Sequence, residues 1–169
     1  MAVPYRCISS HNPRYEMPGS YELKPIARQV VVVTGATSGH GLSTAHMAAF
    51  RGARVMIAAR NEDALRQVCN DICERGGEAD CVVTDVSKEA DMQRLTDRTV
   101  ERFGGFDTWV NNAGIGVYAQ VLDLEIEDHR RIFETNYGGV VYGSTIARPV
   151  RQDRHRNGRQ ASRSRPPDC

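Results

Sequence analysis

The chain has 169 residues, of which 40% are hydrophobic and 25% charged, and a formal net charge of +1. That leaves room for one ordinary globular domain with a sizeable core. No apolar run is long enough to span a bilayer, and the near-neutral charge marks neither a nucleic-acid partner nor an acidic one. The five cysteines lack metal-ligand spacing, and no apolar leader of a secretory signal opens the chain. Free thiols, no metal and a reducing, cytoplasmic setting are therefore expected.

In chain order, Met1–Gly19 holds three prolines, two adjacent serines and no hydrophobic period, so residues 1–23 read as a disordered leader. Met17 is as natural a start as Met1. Val30–Val33 is a run of four β-branched apolar residues, as in a short strand buried on both faces of a parallel sheet. Thr34 and Gly35 turn the chain, Gly39 and Gly41 allow close backbone approach, and a helix is predicted over Leu42–Arg51. Strand, glycine turn and helix N-terminus make a phosphate site, because the first-turn N–H groups lack intrahelical partners and the macrodipole favours an anion. A glycine cluster alone is equally compatible with a plain strand–turn–helix.

Ala53–Ala59 predicts a second buried strand, ending at Arg60 and Asn61. Leu65, Val68, Cys69, Ile72 and Cys73 then fall on one helical face, so both cysteines read as core packing rather than as a metal or redox pair. Glu78–Val83 predicts a third strand, closing on Thr84, Asp85 and Val86. Lys88–Phe103 predicts a helix with Met92, Leu95, Val100 and Phe103 inward and Ser87 as its N-cap. Phe106–Asn111 leads into a fourth strand, Ile115–Leu122 reads as loop, and Leu124–Thr135 and Asn136–Ala147 read as helix. This alternation argues for an α/β fold, a doubly wound parallel sheet of Rossmann type. Its ligand should lie beyond the strand C-termini, where Gly39, Arg60, Asp85 and Asn112 fall.

From Arg148 to Cys169 the character changes to an irregular tail with seven arginines against two aspartates. Such a tail could meet phosphates, but no aromatics interleave the basic residues and no nucleic-acid partner is expected. Lysine occurs only at positions 24 and 88, and the arginine-rich remainder suggests GC-rich coding. A shifted reading frame in such DNA yields Arg, Pro, Ala, Gly and Ser. The expectation is a frameshifted or truncated gene whose C-terminal part is missing; a genuine divergent end is the alternative.

The pattern Thr34-Gly35-x3-Gly39-x-Gly41, followed by Asn111-Asn112-Ala113-Gly114, resembles the short-chain dehydrogenase/reductase (SDR) family over roughly Lys24–Ala147. The resemblance implies an incomplete NAD(P)-binding domain over 24–147. It also implies an oxidoreductase that moves hydride between a nicotinamide and a small-molecule carbonyl or alcohol. In it the turn of Thr34, Gly35, Thr37, Ser38, Gly39, His40 and Gly41 would wrap the cofactor pyrophosphate through backbone N–H groups. Asp85 would accept from the adenine amino group, Val86 would pack on the ring, and Asn112, Ala113 and Gly114 would lie along the cofactor. His40 stands where relatives carry isoleucine or leucine. NAD-specific relatives place an acidic residue at the end of the second strand. Here Ala59 leaves room for a 2′-phosphate and Arg60 offers it a charge-assisted fork, so NADP is favoured over NAD. The alternative is that Arg60 is a solvated surface charge.

The family's catalytic set is Asn, Ser, Tyr and Lys. Asn136 matches the asparagine, which by resemblance holds a proton-relaying water. No Tyr-x-x-x-Lys occurs, and Ser162 and Ser164 sit between arginines where the family has an apolar strand. The chain as written is therefore expected to lack the catalytic Ser, Tyr and Lys and to be inactive. The helix from Asn136, through which relatives form homo-oligomers, would be an incomplete interface. The alternatives are a non-catalytic cofactor-binding or interaction protein, or a non-functional fragment of such an enzyme.

Overall fold

The structure, a computed structural model, describes residues 24–147. The expected leader and the arginine-rich tail lie outside the described residues. Among the described residues four strands form one parallel sheet: β1 (Val30–Thr34), β2 (Arg54–Ala59), β3 (Glu78–Val83) and β4 (Thr108–Val110), in the order β3-β2-β1-β4. The helices α1 (Gly39–Phe50), α2 (Glu62–Glu74) and α3 (Glu89–Phe103) are the crossovers between successive strands. The chain runs outward from β1 to β3, then returns past β1 to lay down β4. That reversal opens a crevice beyond the C-terminal ends of β1 and β4, where open α/β sheets bind ligands.

The unbroken valine run is explained by a core on each side of the sheet. Val31, Val33, Val55 and Ile57 point to one face, against Ala45, Ala48 and Ala49 of α1 and Leu65, Val68 and Ile72 of α2. Val30, Val32, Met56 and Ala58 point to the other, against Leu95 and Phe103 of α3 and against Phe106 and Ala147. A β-strand alternates its side chains between faces, so a strand buried on both must be apolar at every position.

Local chemistry moves several boundaries. α1 begins at Gly39 rather than Leu42, so both remaining glycines of the turn lie inside its first turn. α3 is capped at Lys88 without a side-chain bond, not at Ser87. Ser87 instead gives its N–H and hydroxyl to Asp85 Oδ1, at 3.1 and 2.8 Å. On α3, Val100 is 39% exposed, and Thr96 and Thr99 take the inward face in its place. Their hydroxyls donate to the Met92 and Leu95 carbonyls one turn back, which satisfies them without water. On α2, Cys69 packs on the core but Cys73 is exposed.

After β4 the chain crosses a loop to α4 (Ile126–Phe133), which runs into a π-helical turn over Glu134–Gly138 and then into α5 (139–147). α5 presents small residues to the sheet: a Cβ at Gly139 would sit 2.9 Å from Val86 Cγ2, and one at Gly143 would overlap the Asn111 side chain. No helix among the described residues is long and apolar enough to cross a membrane.

Candidate functional site

A cleft of about 410 Å³ opens at the crevice, lined from four strand ends and from α4's extension. β1 and its turn contribute Gly35, Thr37, Ser38 and His40; β2 contributes Ala59, Arg60 and Asn61. β3 contributes Thr84, Asp85 and Val86, β4 contributes Asn112, Ala113, Gly114 and Ile115, and the π-helical turn contributes Thr135. Ten of the site residues expected from sequence are on the lining, Gly35, Thr37, Ser38, His40, Arg60, Asp85, Val86, Asn112, Ala113 and Gly114, and Gly39 opens α1 between the lining residues Ser38 and His40 without lining the cleft itself.

The three glycines serve different ends. Gly35 has φ +67°, and a Cβ there would lie 2.8 Å from Ala113 Cα. A Cβ at Gly41 would overlap the Gly35 carbonyl oxygen and the Asn112 amide. Both are fixed by the protein's own backbone. Gly39, with φ +53°, has nothing within 4 Å of its Cβ position, so it faces open space at the start of α1. Open space beside a helix N-terminus, where first-turn N–H groups generally lack intrahelical partners, suits a phosphate bridge.

Thr34 and Gly41 do not line the cleft. Thr34 is 1% exposed, and its hydroxyl is the knot that joins the two loops. It accepts from the backbone N–H of Asn112 (3.0 Å) and Ala113 (3.1 Å) and donates to the Val110 carbonyl (3.3 Å). Asn112 returns the contact, its amide donating to the Thr34 and Gly35 carbonyls at 3.0 and 3.2 Å. The glycine turn and the Asn-Asn-Ala-Gly segment are thus one hydrogen-bonded unit.

Asp85 is held from both sides. Ser87 occupies its Oδ1, and its own N–H donates to Asp91 Oδ2 at 3.0 Å. That backbone bond, and then the Arg94 guanidinium, keep the Asp91 carboxyl below its ordinary range. Away from the cleft, burial pushes the Cys69 thiol up to about 12, which marks it as packing rather than as a nucleophile.

Asn136 stands apart from the cleft lining, in the middle of the π-helical turn. Its side chain is engaged at both ends: Oδ1 accepts from the Ile115 N–H at 2.9 Å and Nδ2 donates to the Ile115 carbonyl at 2.8 Å. It therefore fastens the segment after Gly114.

The family model for short chain dehydrogenases matches residues 29–159. The chain belongs to that family. It is 47% identical over 126 residues to an uncharacterized oxidoreductase, YxnA, of Bacillus subtilis, covering 75% of this chain and 35% of the relative. Among solved structures, an SDR from Burkholderia phymatum in complex with NAD superposes with a TM-score of 0.73 at 32% identity, over 76% of this chain and 46% of that one. L-sorbose reductase from Gluconobacter frateurii, complexed with NADPH and L-sorbose, gives 0.71 at 28% identity, over 75% and 48%. The chain spans between 35% and 50% of the length of the curated relatives it matches.

Ala59, expected beside the 2′-phosphate, lines the cleft of this SDR chain, as do Asn61, Thr84, Ile115 and Thr135, which were not expected as site residues. Asn61 carried a legible signal. It caps α2, accepting from the Ala64 N–H at 3.0 Å, and an N-cap directly after Arg60 must sit at the strand's end. Thr135 carried none, since only the π-helical turn brings it to the crevice.

Proposed function

We propose that the cleft binds a nicotinamide dinucleotide, NADP in preference to NAD, as the nucleotide half of an oxidoreductase. In that reading a bound nicotinamide supplies hydride to, or takes it from, a carbonyl or alcohol carbon. The observation that carries it is Ala59 and Arg60 at the end of β2, on the lining of a cleft whose glycine turn is open at Gly39. An acidic side chain there would repel a 2′-phosphate; a guanidinium with a small neighbour admits it and pairs with it. Asn61 keeps its Nδ2 as a further donor beside Arg60, because Oδ1 alone serves the α2 cap.

The chain's residues would divide the work. The first turn of α1 meets the pyrophosphate, Asp85 offers its uncapped oxygen to the adenine, and Asn112 to Gly114 form the floor towards the nicotinamide end. A non-catalytic, cofactor-binding role is the second reading, favoured by one fact: Lys24 and Lys88 are the only lysines, and neither follows a tyrosine by four. Without that pair the 169-residue chain has no positioned acid for the substrate oxygen. An incomplete homo-oligomer interface on the helix from Asn136 belongs to the same proposal, as does a cytoplasmic setting.

The test is nucleotide affinity measured with the 169-residue chain. NADPH should bind more tightly than NADH, and Arg60→Ala should narrow the gap by about tenfold or more, since a hydrogen bond to a charged group contributes about 1.5–3 kcal/mol. Equal affinities in the unmutated chain would refute the NADP preference.

A further inference from the structure

We propose that His40 is a pH-responsive contact for the pyrophosphate of the bound dinucleotide, so that the chain holds nucleotide more tightly at mildly acid pH than at mildly alkaline pH. This rests on the assignment of the cleft to a nicotinamide dinucleotide. His40 is exposed and lines the cleft from the first turn of α1. It is flanked by Gly39, which faces open space, and Gly41, which is pressed against the Gly35 carbonyl. That first turn carries no acidic residue, and the Ser38 side chain makes no cap bond, so α1 supplies no anion of its own at the position.

The other charged side chains on the lining are Arg60 at the end of β2 and Asp85 at the end of β3. Asp85 has one oxygen turned to Ser87. The end of β4 and the π-helical turn contribute only Asn112, Ala113, Gly114, Ile115 and Thr135, none of them ionisable. Among the described residues His40 is thus the one side chain on the lining of a type that changes charge between about pH 5 and 8, while arginine and aspartate keep theirs.

A pyrophosphate diester has no proton to exchange in that interval and stays doubly anionic. It favours the imidazolium over the neutral ring, and linkage requires that the protonated protein bind it more tightly by the same factor. The sign is fixed: the dianion is drawn to the imidazolium, so the extra affinity is present at acid pH and is lost as pH rises. For an exposed charge beside a helix N-terminus the factor should be about twofold to fivefold. An isoleucine or leucine at this position could give none.

The experiment measures dissociation constants by calorimetry at about pH 6 and about pH 8, at fixed ionic strength, with the full chain. The main probe is NAD, because the 2′-phosphate of NADP itself titrates near pH 6; NADP is run in parallel. Unmutated protein should bind NAD about twofold to fivefold more tightly at the lower pH. His40→Leu should abolish that dependence, and His40→Lys, with its charge fixed, should bind tightly at both. Circular dichroism verifies that the variants fold, as an exposed helix position allows. The same pH ratio in His40→Leu, or a flat profile in the unmutated chain that still binds nucleotide, overturns the role of His40 and leaves the cleft assignment standing. No binding of either nucleotide by the unmutated chain overturns both.

Discussion

Thr34→Val should be among the most damaging conservative changes this chain can suffer. The swap keeps shape and removes one oxygen, and that oxygen serves three partners: the N–H groups of Asn112 and Ala113 and the Val110 carbonyl. At 1% exposure Thr34 leaves no room for water to take its place. Each donor stranded away from water costs about 1–3 kcal/mol, and the lower end applies to these part-buried groups, so the two together lose about 2–4 kcal/mol. Thr34→Ser keeps the oxygen and sacrifices one methyl, about 0.8 kcal/mol. The assay is urea unfolding followed by the fluorescence of Trp109, the chain's one tryptophan, which lies in β4 beside the affected loop. With an m-value of about 2 kcal/mol/M, Thr34→Val should lower the midpoint by about 1–2 M, and Thr34→Ser by less than about 0.5 M. Equal midpoints for Thr34→Val and the unmutated chain, or equal losses for Val and Ser, would show that the hydroxyl does not bind the two loops together.

Gly39→Ala and Gly41→Ala should fail in opposite ways. The first meets open space, costs about 1–2 kcal/mol for its positive φ and impairs nucleotide binding; the second collides with the Gly35 carbonyl and costs more than about 3 kcal/mol. Thermal melts paired with nucleotide titrations separate the two. Because the Asp91 carboxyl is held below its ordinary range, its contribution is present above the unfolded pKa and lost as pH falls through the folded one. The melting temperature should thus drop on acidification below about pH 4, and drop less in Asp91→Asn. The 169 residues should show no ketone or aldehyde reduction when NADPH oxidation is followed. General acid catalysis contributes about 10²–10⁴-fold, and no tyrosine-lysine pair supplies it here. Turnover above the blank that disappears in Asn136→Ala would point to another acid.

The sheet and its crevice were legible because each depends on a local pattern. A run of Val30–Val33 has no other place than a two-sided core, and glycine punctuation at the strand ends fixes where the crevice must open. What escaped depended on which way a single side chain turns. Thr34 lies inside the motif that implies cofactor contact, yet a strand residue buried to 1% turns its hydroxyl into the protein. Val100 and Thr99 are adjacent, and hydrophobicity alone prefers the valine. The helix phase set by Met92, Leu95 and Phe103 buries Thr99, whose hydroxyl is satisfied by its own helix. Ser87 reads as a cap, but Asp85 captures it first. Cys73 fits the apolar period of α2 and still falls on its exposed edge.

The π-helical turn makes one long helix answer to two surfaces. A straight α-helix advances about 100° per residue, so a residue that faces the loop at Ile115 dictates which later residues face the sheet. The wider turn at Glu134–Gly138 accommodates about one extra residue and so resets the phase between Asn136 and Gly139. Asn136 can then grip Ile115 while Gly139 and Gly143, one α-turn apart, lie close against Val86 and Asn111 respectively. Deleting one residue from this turn would leave a more regular helix with its clasp and its flat side out of step. One of the two contacts would have to be given up, so the irregular helix is the better fitted one.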